Sequence, residues 1–421
     1  MLRNTPEDIY ALTLDLVKIP SFSATAGERA CAERIREHLA PLAAFAKHPE
    51  DLKLVPVPGS PCGSAVVTAL VRAEPPTSLT VVLEGHLDVV DIEPYGPLKE
   101  VALDPEACTR RMREVPLPEE AKRDLESGNY LFGRGVMDMK FGLAMAMCLL
   151  AEASEKPGAF GVNLMLVAVP DEENNSSGMR SAASLLARAQ EEGLDFLGCI
   201  MVEPSDPGYP GGNGRVVTYG AVGKLMPFVL VMGKVAHGSE YFDGINANLA
   251  MAHLNLVLEG NPDFADIGEK ENFPPMACLK QKDLREAYSI TLPERAYAYY
   301  SLITARQTPE SLLGMIDAAA AEALRRTASH LDDSKRVFAE RAGLPPWPAT
   351  PTGRVVRYAD LVETARKAFR GDLDAHLAAF LSGLPQSMDE REKGIALANE
   401  VLTISGEKGP LAVTGFLPPF Y

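Results

Sequence analysis

The sequence lacks several features that would assign a class of protein at once. Its six cysteines are scattered without a C-x-x-C pair, which indicates neither a disulfide scaffold nor a thiolate zinc site. No apolar run approaches the roughly 20 residues that a membrane-spanning helix needs. Residues 1–8 lack the apolar core of a signal peptide, so a cytoplasmic location is expected. The formal net charge of −16 argues against sequence-independent binding of nucleic acid, which needs a basic face.

Length and patterning predict two domains. A chain of 421 residues exceeds the size at which single hydrophobic cores usually stop growing. Strands and helices alternate up to about residue 219, and an α+β pattern then continues to a proline-rich segment at 343–348. We therefore predict an α/β domain formed by residues 1–219 and 346–421. Residues 220–345 are predicted to form an inserted domain.

Some segments carry more specific expectations. Residues 91–128 are rich in proline and charge and poorly periodic, which favours a functional loop or a lid. The alanine-rich segment 311–326 predicts a helix that extends toward residue 341. The strand expected over residues 223–235 would supply an edge for pairing across a two-fold axis.

The segment Leu-Glu-Gly-His-Leu-Asp-Val-Val at residues 83–90 has the pattern of a buried strand that ends in polar residues. His86 and Asp88 are two residues apart, so in a strand they point to the same side. A neutral imidazole is a common zinc ligand, and a nearby carboxylate often fixes its tautomer. Taken alone, the pair is equally compatible with a core histidine that is satisfied by an aspartate.

Further acidic residues stand at the ends of other predicted buried elements. Taken singly, an aspartate at a helix N-terminus is often only a cap, and acidic residues after a strand often form a solvated turn. Adjacent carboxylates at the end of a buried strand are nevertheless costly unless a positive group lies among them. These positions are Asp138 before a predicted helix, Glu172 and Glu173 after one strand, and Glu203 after the next.

The main evidence for a common site is that such residues recur at the ends of several predicted elements. Parallel strands bring their carboxyl ends to one edge of a sheet, so these side chains are expected to meet there. Imidazole and carboxylates without sulfur suit zinc, manganese or cobalt in a hydrolytic site. The sequence therefore predicts a metal centre at which His86, Asp138, Glu203 and one or both of Glu172 and Glu173 converge.

The motifs, in their order and spacing, resemble those of metallopeptidase family 20, which contains aminoacylases, glutamate carboxypeptidases and succinyl-diaminopimelate desuccinylases. The resemblance covers nearly the whole chain and rests on Gly85-His86-Leu87-Asp88, Gly133-Arg134-Gly135 through Asp138-Met139-Lys140, Glu172-Glu173, Glu203-Pro204 and His237-Gly238-Ser239. Further segments are similar to the RocB-type branch, which serves arginine utilisation: Asp91-Ile92-Glu93-Pro94-Tyr95-Gly96, Val222-Gly223-Lys224-Leu225, Asp389-Glu390-Arg391-Glu392 and Phe416-Leu417-Pro418-Pro419-Phe420-Tyr421.

The resemblance implies an α/β fold: a zinc-exopeptidase-like catalytic domain with a mixed, largely parallel sheet, plus an inserted α+β lid and dimerisation domain. It implies an enzyme that cleaves an amide or peptide bond of a small amino-acid derivative or dipeptide. Two zinc ions, for which manganese or cobalt could substitute, would be bridged by Asp138. His86 and Glu203 would complete the protein ligands of one ion, and Glu173 would bind the other.

The resemblance also implies roles for residues that bind no metal. Glu172 would be the general base, and Asp88 would orient His86. His237 would reach the site of a partner subunit in a homodimer and stabilise the oxyanion there. Asn246 would help to hold the substrate.

Two alternatives stay open. Family resemblance does not guarantee activity, so the chain could be a metal-free binding or regulatory protein on the same scaffold. It could also be an assembly subunit, although the presence of both Glu172 and Glu173 weighs against that role. One part of the family pattern has no counterpart here. Its last metal ligand is a histidine, whereas His330 and His376 of this chain lie in predicted helices.

Overall fold

A computed structural model describes residues 2–204, 217–268, 272–385 and 388–418. The chain divides into two compact units, Met1–Val217 and Thr218–Tyr421. Residues 419–421, which belong to a motif quoted above, lie outside the described residues.

The first unit is built on a five-stranded mixed sheet in the order β1-β2-β4-β3-β5. β3 pairs in parallel with both β4 and β5, whereas β2 pairs antiparallel with β1 and β4. The carboxyl ends of three strands therefore meet at one edge. The strands are β1 (Leu52–Pro56), β2 (Ala65–Val71), β3 (Leu79–His86), β4 (Asn163–Val169) and β5 (Asp195–Met201).

Helices cover both faces of the central strands of this sheet. Thr5 caps the first helix by accepting a hydrogen bond from the backbone N–H of Asp8, and Pro6 occupies the first helical position. The helices are α1 (Pro6–Val17), α2 (Ala26–Leu39), α3 (Ala43–Lys47), α4 (Pro105–Arg111), α5 (Glu119–Ser127), α6 (Phe141–Glu155) and α7 (Ser177–Glu191).

The core of this unit explains why β2 and β4 are nearly continuous apolar runs. Every residue of both strands is buried. One face packs on α1, α2 and α6, and the other carries a smaller cluster that includes Ala182 of α7. β5 differs, because Leu197, Ile200 and Met201 are 57%, 54% and 62% exposed. Within the described residues, no strand pairs with its outer edge.

The second unit contains a five-stranded sheet in the order β11-β12-β6-β10-β9 and a short hairpin of β7 and β8. One face packs against α8 and α9, and the other against α10, α11 and α12. The strands are β6 (Gly223–Met232), β7 (Asp266–Ile267), β8 (Asn272–Phe273), β9 (Ala277–Asp283), β10 (Arg295–Thr304), β11 (Arg354–Arg357) and β12 (Leu411–Leu417). The helices are α8 (Ala247–Leu258), α9 (Pro309–Ala342), α10 (Tyr358–Ala368), α11 (Leu373–Gly383) and α12 (Glu390–Ser405).

The placement of residues 346–421 differs from the sequence prediction. We expected this segment in the same domain as residues 1–219, but its described part belongs to the second unit. The physical reason is strand pairing: β12 lies antiparallel to β6 from Leu411↔Met232 to Leu417↔Met226. For the same reason the expected edge at residues 223–235 is wrong, since β6 is flanked by β12 and β10.

Two further segments with specific predictions are residues 311–341 and 91–128. The helix predicted from residue 311 toward 341 is confirmed as α9. The segment 91–128, expected as a loop, contains α4, α5 and a 3-10 stretch at Glu93–Val101, because short helices leave too little periodicity to detect. In the described part of the chain, no helix is long and apolar enough to cross a membrane.

The pairing of β12 predicts a local pattern of destabilisation. Leu411 is fully buried against the helices on one face of the second sheet. Leu411→Ala should therefore cost about 2–5 kcal/mol of unfolding free energy. Hydrogen exchange should show the lost protection in residues 218–418 and leave the first unit protected. Leu256→Ala, at a position that is 76% exposed, is the matched control and should change stability little. Loss of protection in the first unit would contradict the assignment.

Candidate metal centre

His86 is the last residue of β3 and is 2% exposed. Its Nδ1 lies 3.1 Å from the backbone carbonyl oxygen of Asp88, and its Nε2 lies 2.8 Å from Oδ1 of Asp138. In the neutral imidazole, Nδ1–H donates to that carbonyl, so the lone pair of Nε2 faces the carboxylates. This is the tautomer that a metal ligand requires.

Residues before and after Asp138 in the chain fix the position of its segment. Gly135 has a φ of 73°, and a Cβ there would lie 2.5 Å from Cγ1 of Val89, so a larger residue would clash. Lys140 is fully buried, and its Nζ donates to the carbonyl oxygens of Leu16 and Ile19 at 3.0 Å each. Burial lowers the pKa of Lys140. The lysine therefore ties the Asp138 segment to the end of α1.

The turn after β4 presents Glu172 and Glu173 at the same edge. Their backbone N–H groups donate to the carboxylate of Asp88 at 3.1 and 3.3 Å. Asp171 begins the turn in a left-handed conformation with a φ of 63°, and its Oδ2 accepts from the N–H of Ser177. The two glutamates are thus held by their backbone, which leaves their side chains free for chemistry.

The structure brings together three of the four predicted ligands. His86, Asp138 and Glu173 each offer an atom, and these atoms lie within 4.8 Å of one another. Glu203, just beyond β5, is exposed and is not part of this cluster. Its charge nevertheless contributes to raising the pKa of Glu172, which places it in the electrostatic neighbourhood of the cluster.

The ionisable groups of the cluster lie close enough to shift one another's pKa values. Burial would lower the pKa of His86, but the hydrogen bonds to Asp138 and Asp88 outweigh it and raise the pKa to about 11. The His86 hydrogen bond lowers the pKa of Asp138. Burial, and then the charge of Asp138, raise the pKa of Glu173 to about 7. Carboxylates crowded in this way favour a cation among them.

Two glutamates near the cluster are not in it. Glu172 Oε2 lies 3.9 Å from Nε2 of His86, and burial is the main cause that raises the pKa of Glu172. Glu84 is only 6% exposed, and burial raises its pKa to about 7. Sequence reasoning gave Glu84 no role, although its spacing from His86 puts both side chains on one face of β3.

The donor set fits a divalent metal ion. One imidazole nitrogen and two carboxylates converge, no thiolate is among them, and Nε2 of His86 points at the carboxylate of Asp138. This combination suits zinc and manganese. A second group in the described residues, His48, Glu50 and Asp51, is a weaker candidate because Asp51 already binds Arg72 at 2.7 and 2.8 Å.

The remaining predicted site residues lie in the second unit. His237 is exposed, and its Nδ1 lies 2.6 Å from Oγ of Ser239 and accepts from the Ser239 N–H at 3.2 Å. Asn246 caps α8 by accepting a hydrogen bond from the N–H of Asn248 at 2.9 Å. Both contacts are local, so the catalytic role of His237 and the substrate role of Asn246 stay predictions.

Two further histidines of the second unit, His330 and His376, contact other side chains. The ring of His330 lies 5.6 Å from that of His253, and Nε2 of His376 lies 2.9 Å from Oε1 of Glu400. Neither belongs to a group of three or more candidate metal ligands in the described residues.

A histidine and several carboxylates at the carboxyl ends of parallel strands form the kind of donor set that metal-dependent hydrolases use. The sequence pattern of peptidase family M20/M25/M40 matches residues 82–403, which span every element of this site. The chain belongs to that family, so the resemblance drawn from its motifs is confirmed. The predicted α/β fold class is confirmed with it.

The relatives support the RocB-type likeness. The chain is 32% identical to the uncharacterized protein YqjN of Bacillus subtilis over 420 residues, which cover 99% of this chain and 75% of that protein. It is 30% identical to protein RocB of the same organism over 343 residues, covering 81% of this chain and 61% of RocB. The M20 family metallo-carboxypeptidase Sso-CP2 of Sulfolobus solfataricus shares the fold with a TM-score of 0.51, at 15% identity and coverage of 97% and 91%.

The charges at the cluster predict how metal affinity depends on pH. His86, with its raised pKa, must lose a proton before it can bind a metal, and Glu173 must also lose one below about pH 7. Zinc affinity, measured by competition with a chelator, should therefore rise by about tenfold or more per pH unit from pH 6 to pH 8. His48→Gln, which removes a ligand of the surface group, should leave the slope unchanged. An affinity independent of pH would show that the metal binds elsewhere.

Proposed function

We propose that the protein is a di-zinc amidohydrolase or exopeptidase that cleaves the amide or peptide bond of a small amino-acid derivative or dipeptide. The observation that supports this most is the convergence of His86, Asp138 and Glu173, with Glu172 beside them. When bound, divalent metal ions would acidify a water molecule and polarise the carbonyl of the scissile bond. In this proposal His86, Asp138, Glu173 and Glu203 would hold the ions.

In this proposal Glu172 is the general base and then the general acid. Its side chain is 47% exposed, so substrate and water reach it, and its raised pKa brings it nearer to neutrality than an ordinary glutamate. Its carboxylate takes a proton from the attacking water and returns it to the leaving nitrogen. The backbone N–H of Glu172 is fixed on Asp88, which restricts the positions that the carboxylate can sample.

Asp88 has a positioning role. It is fully buried, and its Oδ1 lies 3.6 Å from Nδ1 of His86. Burial alone would raise its pKa, but hydrogen bonds with His86 and Ser23 bring the pKa below the usual range. Asp88 therefore stays ionised at neutral pH and holds His86 with Nε2 toward the metal cluster.

The substrate class is a further part of the proposal. The segments shared with the RocB-type branch support a role in arginine utilisation and hence an arginine-related amide. We propose zinc as the native metal because of the ligand set, with manganese or cobalt as substitutes. Mass-spectrometric screening of N-acyl amino acids and dipeptides with the metal-loaded protein tests the substrate directly. The cytoplasmic location stays a prediction.

Replacing Glu172 separates chemistry from metal binding. Glu172→Gln should keep the metal content of the wild type but lose turnover by roughly 10²–10⁴-fold, because the amide cannot accept the proton of the water. Asp138→Ala should instead lose metal, as measured by elemental analysis after dialysis. Glu191→Gln, an exposed position at the end of α7, is the matched control and should change neither. Full turnover in Glu172→Gln would remove Glu172 from the mechanism.

We also propose that the protein is a homodimer in which His237 serves the site of the neighbouring subunit. His237 is exposed, and its Nδ1 is occupied by Ser239, which leaves Nε2 to donate to an oxyanion. β9 supports the dimer, because it is the last strand of its sheet in the described residues and offers an open edge. Asn246 would help to hold the substrate from the same unit.

Complementation tests this arrangement. Inactive His237→Ala and inactive Glu172→Gln proteins are mixed under conditions that allow subunits to exchange. Activity should reappear, because one site of each heterodimer combines an intact Glu172 with the intact His237 of the partner. Light scattering before mixing checks the oligomeric state. A monomer, or no recovery despite demonstrated exchange, would leave His237 without a role in trans.

A further inference from the structure

The first unit contains a cavity that the metal centre does not use. It has a volume of about 710 Å³ and is lined by residues from α1, α4, the segment 128–131 and the start of α6. None of the predicted metal ligands lines it. Its volume is in the range of pockets that bind small molecules.

The wall of this cavity is apolar and open to solvent. Tyr10, Tyr130, Phe141 and Met145 all line it, and they are 44%, 53%, 40% and 46% exposed. Large apolar side chains that share one exposed concave surface are uncommon in a protein without a ligand or partner there. The wall therefore offers a surface for an apolar group of a ligand.

One side of the cavity carries two opposite charges. Glu106 and Arg110 both line it and are one turn apart on α4, so they lie on the same helix face. The hydroxyl of Tyr10 donates to Oε1 of Glu106 at 3.2 Å, which leaves the other carboxylate oxygen available. Among the residues that the structure describes, Arg110 has no hydrogen-bond or ion-pair partner. The adjacent Arg111, in contrast, binds Glu114 at 3.0 Å.

We propose that this cavity binds a free α-amino acid with a large apolar side chain. Its carboxylate pairs with the guanidinium of Arg110, its ammonium group pairs with Glu106, and its side chain packs against Phe141 and Met145. Charge complementarity favours this ligand over others of similar size. A fatty acid or an N-acyl amino acid offers Glu106 no cationic partner, and an amide or ester offers Arg110 no anionic one.

The proposal does not depend on the proposed hydrolase activity. No residue that it uses is a predicted metal ligand or the proposed general base. Binding is therefore measured on the full chain after treatment with a chelator, so that turnover plays no part. A failure of this site and a failure of the proposed function are then distinguishable.

The ligand test compares three related compounds by isothermal titration calorimetry. L-phenylalanine should bind saturably. N-acetyl-L-phenylalanine, which lacks the ammonium group, and L-phenylalaninamide, which lacks the carboxylate, should each bind at least about tenfold more weakly, because each loses one charge-assisted hydrogen bond. No binding of L-phenylalanine or L-leucine at millimolar concentrations would overturn the proposal. Equal affinity for either analogue would overturn it as well.

Variants of α4 locate the binding site. Arg110→Met should weaken L-phenylalanine binding by about tenfold or more, and Glu106→Gln should weaken it similarly. Arg111→Met is the matched control, since Arg111 is the next residue and does not line the cavity. Met145→Trp, which fills the cavity, should abolish binding. Circular dichroism and thermal unfolding confirm that each variant is folded. Unchanged affinity in folded Arg110→Met would place the ligand elsewhere and overturn the proposal.

Discussion

The rest of the site depends on the hydrogen bonds that the buried carboxylate of Asp88 accepts. It accepts hydrogen bonds from Oγ of Ser23 at 2.7 Å and from the backbone N–H groups of Glu172 and Glu173, and it lies beside His86. One side chain thus joins the loop before α2, the end of β3 and the turn after β4. Because no water reaches it, the loss of any partner would leave a buried acceptor unsatisfied, which costs free energy.

The same arrangement indicates how a metal ion bound at the candidate ligands would be linked to the stability of the fold. The carboxylates of Asp138, Glu172 and Glu173 disfavour one another's ionised forms, and the charge of His86 offsets part of this effect, as that of Arg134 also does at Asp138. The fold holds these groups together through backbone hydrogen bonds and through Lys140, whose ammonium group binds the end of α1. The fold therefore holds the ligands in place at a local cost in stability. A bound cation would offset that cost.

Sequence reasoning placed candidate ligands at one edge of the sheet because this needed only local information, and the structure brings three of the four together there, His86, Asp138 and Glu173. His86, Asp138, Glu172 and Glu173 each follow or precede an apolar element, and parallel strands bring such positions together. The role of Lys140 was not predicted, because the carbonyl groups that it binds are more than 120 positions away in the chain. The placement of β12 was missed for a related reason. Its apolar pattern suits either sheet, and only its pairing with β6 decides between them.

The exposed strand β5 has a consequence for the behaviour of this chain in solution. Leu197, Ile200 and Met201 are apolar, more than half exposed and lie on one strand whose outer edge is free within the described residues. An uncovered edge of this kind is a template for strand addition between molecules, and no lysine or proline interrupts it. Concentrated preparations of the chain should therefore form aggregates that begin at β5, and a lysine introduced at position 197 would act as a gatekeeper against them.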